Sequence, residues 1–170
     1  MENFKSRLKK ITTIIFDVDG VLTDGKVFFL MGQSPVRNMY TKDAFALQAA
    51  VKKGYRIAII TGGSSEIIRE SLAGLGIQDI FMKQSDKLAC YKEYIYSNNL
   101  SDEEVMFVGD DLPDWEVMKR VGIAACPKDS AHEIKEISIY ISDKKGGEGC
   151  ARDVIEQVMR VRGDWEISGW

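Results

Sequence analysis

Three short polar stretches carry residue types that could do chemistry: Asp17-Val-Asp19, followed by Asp24; Thr61-Gly-Gly-Ser-Ser65; and Gly109-Asp110-Asp111-Leu-Pro-Asp114. Each directly follows an apolar run, namely Ile11–Phe16, Arg56–Ile60 and Val105–Val108. In a parallel α/β sheet, ligands bind at the carboxyl ends of the strands, so these residues gather on one edge. Carboxylates crowded in this way raise one another's pKa unless a cation neutralises them. A hard divalent ion does so, and Mg²⁺ suits a few carboxylates that must keep waters and a phosphate in its shell. The chemistry that follows is phosphoryl transfer. One carboxylate of the Asp17/Asp19 pair attacks phosphorus to give an aspartyl-phosphate, and the other protonates the leaving alkoxide and then activates water. Thr61 and the backbone N–H groups of Gly62 and Gly63, at the start of a helix, would hold phosphate oxygens. Lys87, near the start of another helix, adds positive charge.

The elements that position these residues alternate. Runs at Ile11–Phe16, Arg56–Ile60, Val105–Val108, Ile123–Ala125 and Ile137–Ile141 are separated by stretches of helical period, the signature of βαβ units. Each run is apolar on both sides of the strand, as expected when helices cover both faces of the sheet. Val27–Leu30 and Val36–Tyr40 flank a Gly- and Pro-containing turn and read as a β-hairpin. A helix is expected over about Asp43–Lys53. A second starts at Ser64 or Ser65 and stops near Gly74 and Gly76, and a third is capped by Ser85. Ser101-Asp-Glu-Glu104 has capping-box spacing but runs straight into a strand, so it reads as a turn. A last helix covers about Ala151–Arg162. The tail to Trp170 carries two tryptophans without a periodic neighbour, leaving disorder or packing on another subunit as its two readings.

Composition narrows the class. The 170 residues are 45% hydrophobic and 29% charged, with 23 Lys and Arg against 26 Asp and Glu. That fits a single domain over 1–170, and the near-balance of charge argues against nucleic acid and against an anionic membrane surface. One histidine, His132, cannot supply a His-rich metal site or a histidine relay, so proton transfer falls to carboxylates. Cys90, Cys126 and Cys150 are odd in number and outside CxxC spacing, which argues for reduced thiols in the cytoplasm. No apolar run approaches the ~20 residues of a membrane span, and Ile11–Phe16 is too short for a signal-peptide core. Lys5, Arg7, Lys9 and Lys10 read as a solvated helix face, with a nucleic-acid arm as the alternative.

Together, Asp17-Val-Asp-Gly-Val-Leu-Thr23, Thr61, Lys87 and Gly109-Asp-Asp-Leu-Pro-Asp114 resemble the motifs of the haloacid dehalogenase superfamily of phosphohydrolases, over nearly the whole chain. The resemblance implies a Rossmann-like parallel sheet with helices on both faces. It also implies Asp17 as nucleophile, Asp19 as general acid and base, Mg²⁺ held by Asp17, the Asp19 carbonyl and Asp110, and Asp111 and Asp114 behind them. No cap domain fits between the motifs. Asp24-Gly with its hairpin, Thr41-Lys-Asp43, Gly109–Trp115 and Gly146-Gly-Glu-Gly-Cys-Ala-Arg152 look like the 3-deoxy-D-manno-octulosonate 8-phosphate phosphatases of lipopolysaccharide precursor synthesis. That family implies a homotetramer with hairpins at its centre. It implies sugar contacts from Asp19, Tyr40, Thr41, Lys42, Asp43, Ala44, Gln48 and Gly63, with Arg152 acting in trans. Exposed Phe28, Phe29 and Leu30 on a hairpin fit an oligomer interface. The chain departs from the pattern at Gly63 and Ser71, where relatives place basic residues, and Arg69 is the nearest substitute. The departure bears on the sugar, with a nine-carbon ulosonate 9-phosphate as the alternative substrate.

Overall fold

The computed structural model describes residues 3–166. Six parallel strands form one sheet: β1 (Thr13–Phe16), β2 (Arg56–Ile60), β3 (Asp79–Phe81), β4 (Val105–Val108), β5 (Ile123–Cys126) and β6 (Tyr140–Ile141). Their order is β3-β2-β1-β4-β5-β6. β1 lies between β2 and β4, with Phe16 in register with both Ile59 and Val108. The chain therefore leaves β1 toward one side of the sheet and reaches β4 on the other. This reversal opens a crevice at the carboxyl ends of β1, β2 and β4.

The apolar runs supply both faces because a strand's side chains alternate. Ile14, Phe16, Ile57, Ile59, Met106 and Val108 pack on one side against α1 (Phe4–Lys10), α2 (Thr41–Lys52), α3 (Glu66–Gly74) and α7 (Cys150–Arg162). Ile15, Ala58, Ile60, Val105 and Phe107 pack on the other against α4 (Lys87–Ser97), α5 (Trp115–Met118) and α6 (His132–Ile137).

Several expected boundaries shift. The hairpin is an arm closed by a single antiparallel bridge, in which Phe28 and Val36 exchange backbone hydrogen bonds of 3.0 and 2.9 Å. The run Ile137–Ile141 splits: Ile137 ends α6, and only Tyr140 and Ile141 pair with β5. Helix α4 is capped by Asp86, whose Oδ1 accepts from Ala89 N at 2.9 Å, and not by Ser85. Ser101 and Glu104 do form a capping interaction, on a single 3₁₀ turn, with Ser101 N donating to Glu104 Oε2 at 2.9 Å. The basic N-terminal segment is helix α1, with Leu8 buried and Lys10 paired to Glu103 at 3.0 Å. Trp165, from the tail, lies edge-on to Phe45 at 6.5 Å, with the Arg152 guanidinium 5.4 Å from its ring. Trp170 lies outside the described residues.

Candidate active site

Asp17 leaves β1 with its amide donating to the Val108 carbonyl at 3.0 Å and its Oδ1 accepting from Val18 N at 2.7 Å. Lys87, the first residue of α4, places Nζ 3.0 Å from Asp17 Oδ2 and 2.7 Å from Asp114 Oδ1. All three side chains are buried. Asp114 Oδ2 accepts from Asp110 N at 3.0 Å, so this carboxylate ties Lys87 to the loop after β4. Burial raises Asp17 to about 6, Asp114 adds to the rise, and Lys87 opposes it. Burial pulls Lys87 down, but the charges of Asp17 and Asp114 outweigh it and hold the ammonium above its usual value.

Asp17, Asp110 and Asp114 each offer a carboxylate oxygen, all within 4.8 Å of one another. Burial, then the charges of Asp17, Asp114 and Asp111, push Asp110 up to about 8, with Lys87 offsetting only part. A buried carboxylate among acidic neighbours is what a divalent cation would relieve, so the donor set fits Mg²⁺. With both Asp114 oxygens taken by Lys87 and by the Asp110 amide, Asp17 and Asp110 are the side chains best placed as ligands. The backbone at Gly20 makes this closeness possible: with φ +89°, a Cβ there would lie 2.0 Å from Asp110 Oδ2. Asp111 is exposed, and its Oδ1 accepts from Leu112 N at 2.8 Å to cap a 3₁₀ turn.

The Asp17–Thr23 loop is held from beneath by the glycine cluster. Gly147 N donates to Val21 O at 3.0 Å and Cys150 Sγ to the same oxygen at 3.1 Å, while a Cβ on Gly146 would lie 1.9 Å from Gly20 O. Those glycines thus pack against the loop that carries both candidate catalytic carboxylates.

Asp19 accepts two bonds from Arg37, Nε to Oδ1 at 2.6 Å and Nη2 to Oδ2 at 3.1 Å, and one from Thr23 Oγ1 at 3.3 Å. The sequence reading missed Arg37. No motif marks it, although it is the one Arg between Asp19 and Arg56. Arg69, the substitute first considered, stands half-exposed on α3 with Nε 3.9 Å from Glu66 Oε1.

Thr61 lies buried at the end of β2, and its Oγ1 accepts from Gly63 N at 3.2 Å. Gly62 and Gly63 sit in the loop ahead of Ser65, the N-cap of α3, so their amides precede the helix and do not begin it. Asp17, Asp19, Thr61, Gly62, Gly63, Lys87, Asp110, Asp111 and Asp114 nevertheless line one open cavity of about 480 Å³.

Of the expected sugar contacts, Asp19 and Gly63 line that cavity, and the others do not join it within one chain. Tyr40, Lys42 and Arg152 line a separate cavity of about 350 Å³ with Gly149 and Glu156. Thr41 is exposed, while Ala44 and Gln48 are half-buried on α2. Asp43, expected as a sugar contact, is 0% exposed, and its oxygens accept from Arg152 N at 2.7 Å and Gly149 N at 3.2 Å. It caps α7 from α2, a role that leaves it no exposed atom for a sugar. Burial, partly countered by those two bonds, raises it to about 6.

Comparisons with known proteins agree with this geometry. The model of the haloacid dehalogenase-like hydrolases matches residues 68–153. The chain is 30% identical over 153 residues to the 3-deoxy-D-manno-octulosonate 8-phosphate phosphatase of Yersinia pestis, covering 90% of this chain and 82% of that protein. Against the enzyme of the same name from Escherichia coli K12 it is 29% identical over 158 residues, 93% of this chain and 84% of that one. The Moraxella catarrhalis phosphatase of that name, crystallised with a magnesium ion, a phosphate ion and a KDO molecule, superposes with a TM-score of 0.90 at 30% identity, over 92% of this chain and 90% of the other. With the motif residues gathered at one crevice and these likenesses spanning most of the sequence, the chain belongs to the haloacid dehalogenase-like hydrolases, in the family of the 3-deoxy-D-manno-octulosonate 8-phosphate phosphatases.

Proposed function

We propose that this protein hydrolyses 3-deoxy-D-manno-octulosonate 8-phosphate to the free sugar acid and phosphate. The observation that carries the reading is the buried Asp17–Lys87–Asp114 chain opening on the same cavity as Asp19, Thr61 and Asp110. An Asp17 carboxylate oxygen attacks phosphorus, the bond from phosphorus to the sugar oxygen breaks, and Asp19 gives that oxygen a proton. A water then attacks the aspartyl-phosphate while Asp19 takes its proton, and the Asp17–phosphorus bond breaks to release phosphate. Lys87 and Thr61 hold the charge of the transferring group. Asp17, the Asp19 carbonyl and Asp110 would hold Mg²⁺, which when bound lowers the repulsion between the carboxylate nucleophile and the phosphate dianion.

Two features favour a homotetramer that completes the site. Tyr40, Lys42 and Arg152 stand apart from the carboxylates within one chain, so a second copy is needed to bring such cations to the sugar acid's carboxylate. The arm exposes Phe28, Phe29, Leu30 and Met31, with Met31 99% exposed, an apolar surface that packing between copies would cover. Three unpaired cysteines support the cytoplasm as its compartment. Among the described residues no helix is long and apolar enough to cross a membrane.

Phosphate release from eight- and nine-carbon ulosonate phosphates, with and without Mg²⁺, tests the reading. It expects Mg²⁺-dependent turnover, faster on the eight-carbon ester, and none with Asp17→Asn. Equal release by that variant removes the nucleophile assignment, and a preference for the nine-carbon ester reverses the substrate. Light scattering that returns a monomer at assay concentration removes the second copy.

A further inference from the structure

Arg37 is unusual among the residues of the arm. Its side chain is only 14% exposed while Pro35 and Asn38 beside it lie open, because it turns inward onto Asp19. The contact is a two-point fork, 2.6 Å from Nε to Oδ1 and 3.1 Å from Nη2 to Oδ2. Thr23 Oγ1 approaches Oδ1 at 3.3 Å from the other side. Planar guanidinium and planar carboxylate held at two points leave the Asp19 side chain little rotational freedom. The position so held is over the phosphate cradle: a Cβ built on Gly63 would lie 3.5 Å from both Asp19 Oδ2 and Thr61 Oγ1.

We propose that Arg37 is a positioning residue for proton transfer: its fork aims the Asp19 carboxyl group at the oxygen of the leaving alcohol. The inference rests on Asp19 as the general acid and base. Asp19 serves both half-reactions, and what both share is the direction in which its oxygens point. The guanidinium itself neither gives nor takes a proton, so it acts on the transfer through the direction and the charge it brings to the Asp19 carboxyl group. A proton donor acts only within hydrogen-bond reach of the atom it protonates, and a correctly placed one contributes roughly 10²- to 10⁴-fold in rate. Loss of the fork keeps the donor and scatters its direction.

The test compares leaving groups. The ratio kcat/KM reports the steps up to formation of the aspartyl-phosphate. An alkyl ester such as the sugar phosphate needs the proton, whereas p-nitrophenyl phosphate releases a stable phenolate without one. Arg37→Gln is expected to lower kcat/KM for the alkyl ester by about 10- to 100-fold and for the aryl ester by less than about 3-fold. Retained aryl turnover also reports a folded enzyme. Arg37→Lys, with charge but a single point of contact, should recover only part of the alkyl rate. Asp19→Asn provides the reference and should show the same selectivity. Equal losses on both esters, a rise in KM alone, full activity in Arg37→Gln, or complete rescue by lysine each overturns the positioning role. Absence of selectivity in Asp19→Asn overturns the acid assignment beneath it, and the two failures are told apart by which variant shows them.

Discussion

The Lys87 ammonium lies 3.0 Å from Asp17 Oδ2 with both side chains nearly closed to solvent, so the proposed nucleophile and its cation are held in one buried pair. Asp114 completes the arrangement at 2.7 Å from the same nitrogen. Two carboxylates and one ammonium leave an excess negative charge, and Asp110, beside them, is pushed up to about 8 by burial and by those charges.

Lys87 therefore bears on the fold as well as on the proposed reaction. Removing one member of a buried ion pair leaves its partners uncompensated, typically at about 3–5 kcal/mol. Lys87→Met is expected to abolish phosphate release and to lower stability by an amount of that order, read from urea unfolding beside a circular dichroism spectrum. Unchanged stability would mean that the pair is solvated in the free enzyme.

The acidic cluster sets a pH dependence whose sign follows from Asp110 at about 8 and Asp17 at about 6. Both lie above the ordinary carboxylate value, so between about pH 4 and pH 8 the metal-free native state binds more protons than the unfolded chain, and stability falls as pH rises. Mg²⁺ needs the deprotonated forms, so its stabilising effect grows over the same interval. Thermal melts from pH 5 to 8 should show Tm falling in the presence of chelator and a Mg²⁺-dependent increment that widens with pH. Asp110→Asn should flatten both trends.

Asp43 caps α7 across an interhelical contact and is fully buried. Asp43→Ala leaves the Gly149 and Arg152 amides without that acceptor, at about 1–3 kcal/mol, while Asp43→Asn keeps one oxygen and costs less. Denaturant midpoints should fall in that order. KM for the sugar phosphate in Asp43→Asn should stay near the wild-type value, because no atom of Asp43 is exposed to a substrate; a large rise in KM would restore it as a contact.

Thr13 stands in the middle of the sheet with its hydroxyl buried and without a hydrogen-bond partner among the described residues. Burying an unpaired hydroxyl costs about 1–3 kcal/mol, and valine has nearly the same shape without that cost. Thr13→Val is expected to raise Tm by several degrees with kcat unchanged. A lower Tm would show that the hydroxyl is satisfied in solution.

The strands and the polar residues that end them were legible in the sequence because the signal is local. An apolar run covered on both faces ends where polarity returns, so Asp17, Thr61 and Asp110 could be placed at strand ends from chain order alone. The short strand β3, by contrast, is legible only as a strand without bounds after the helix that follows Thr61, and Ile137 reads as strand although it ends α6. In such short apolar segments periodicity does not separate helix from strand.

What depended on contacts distant in sequence came only from the fold. Residue types and spacing determined a carboxylate- and phosphate-handling edge on a parallel sheet, since strand alternation and charge crowding are properties of neighbouring residues. The tertiary structure decided what each carboxylate touches. Asp43 became a helix cap because α2 packs beside the start of α7, and Asp114 became the anchor of Lys87 because the loop after β4 faces the start of α4. Arg37 reached Asp19 because the arm folds back over the crevice. A side chain's role follows from what burial and approach leave within about 3 Å of it, and those distances arise only when elements far apart in the chain close on one another.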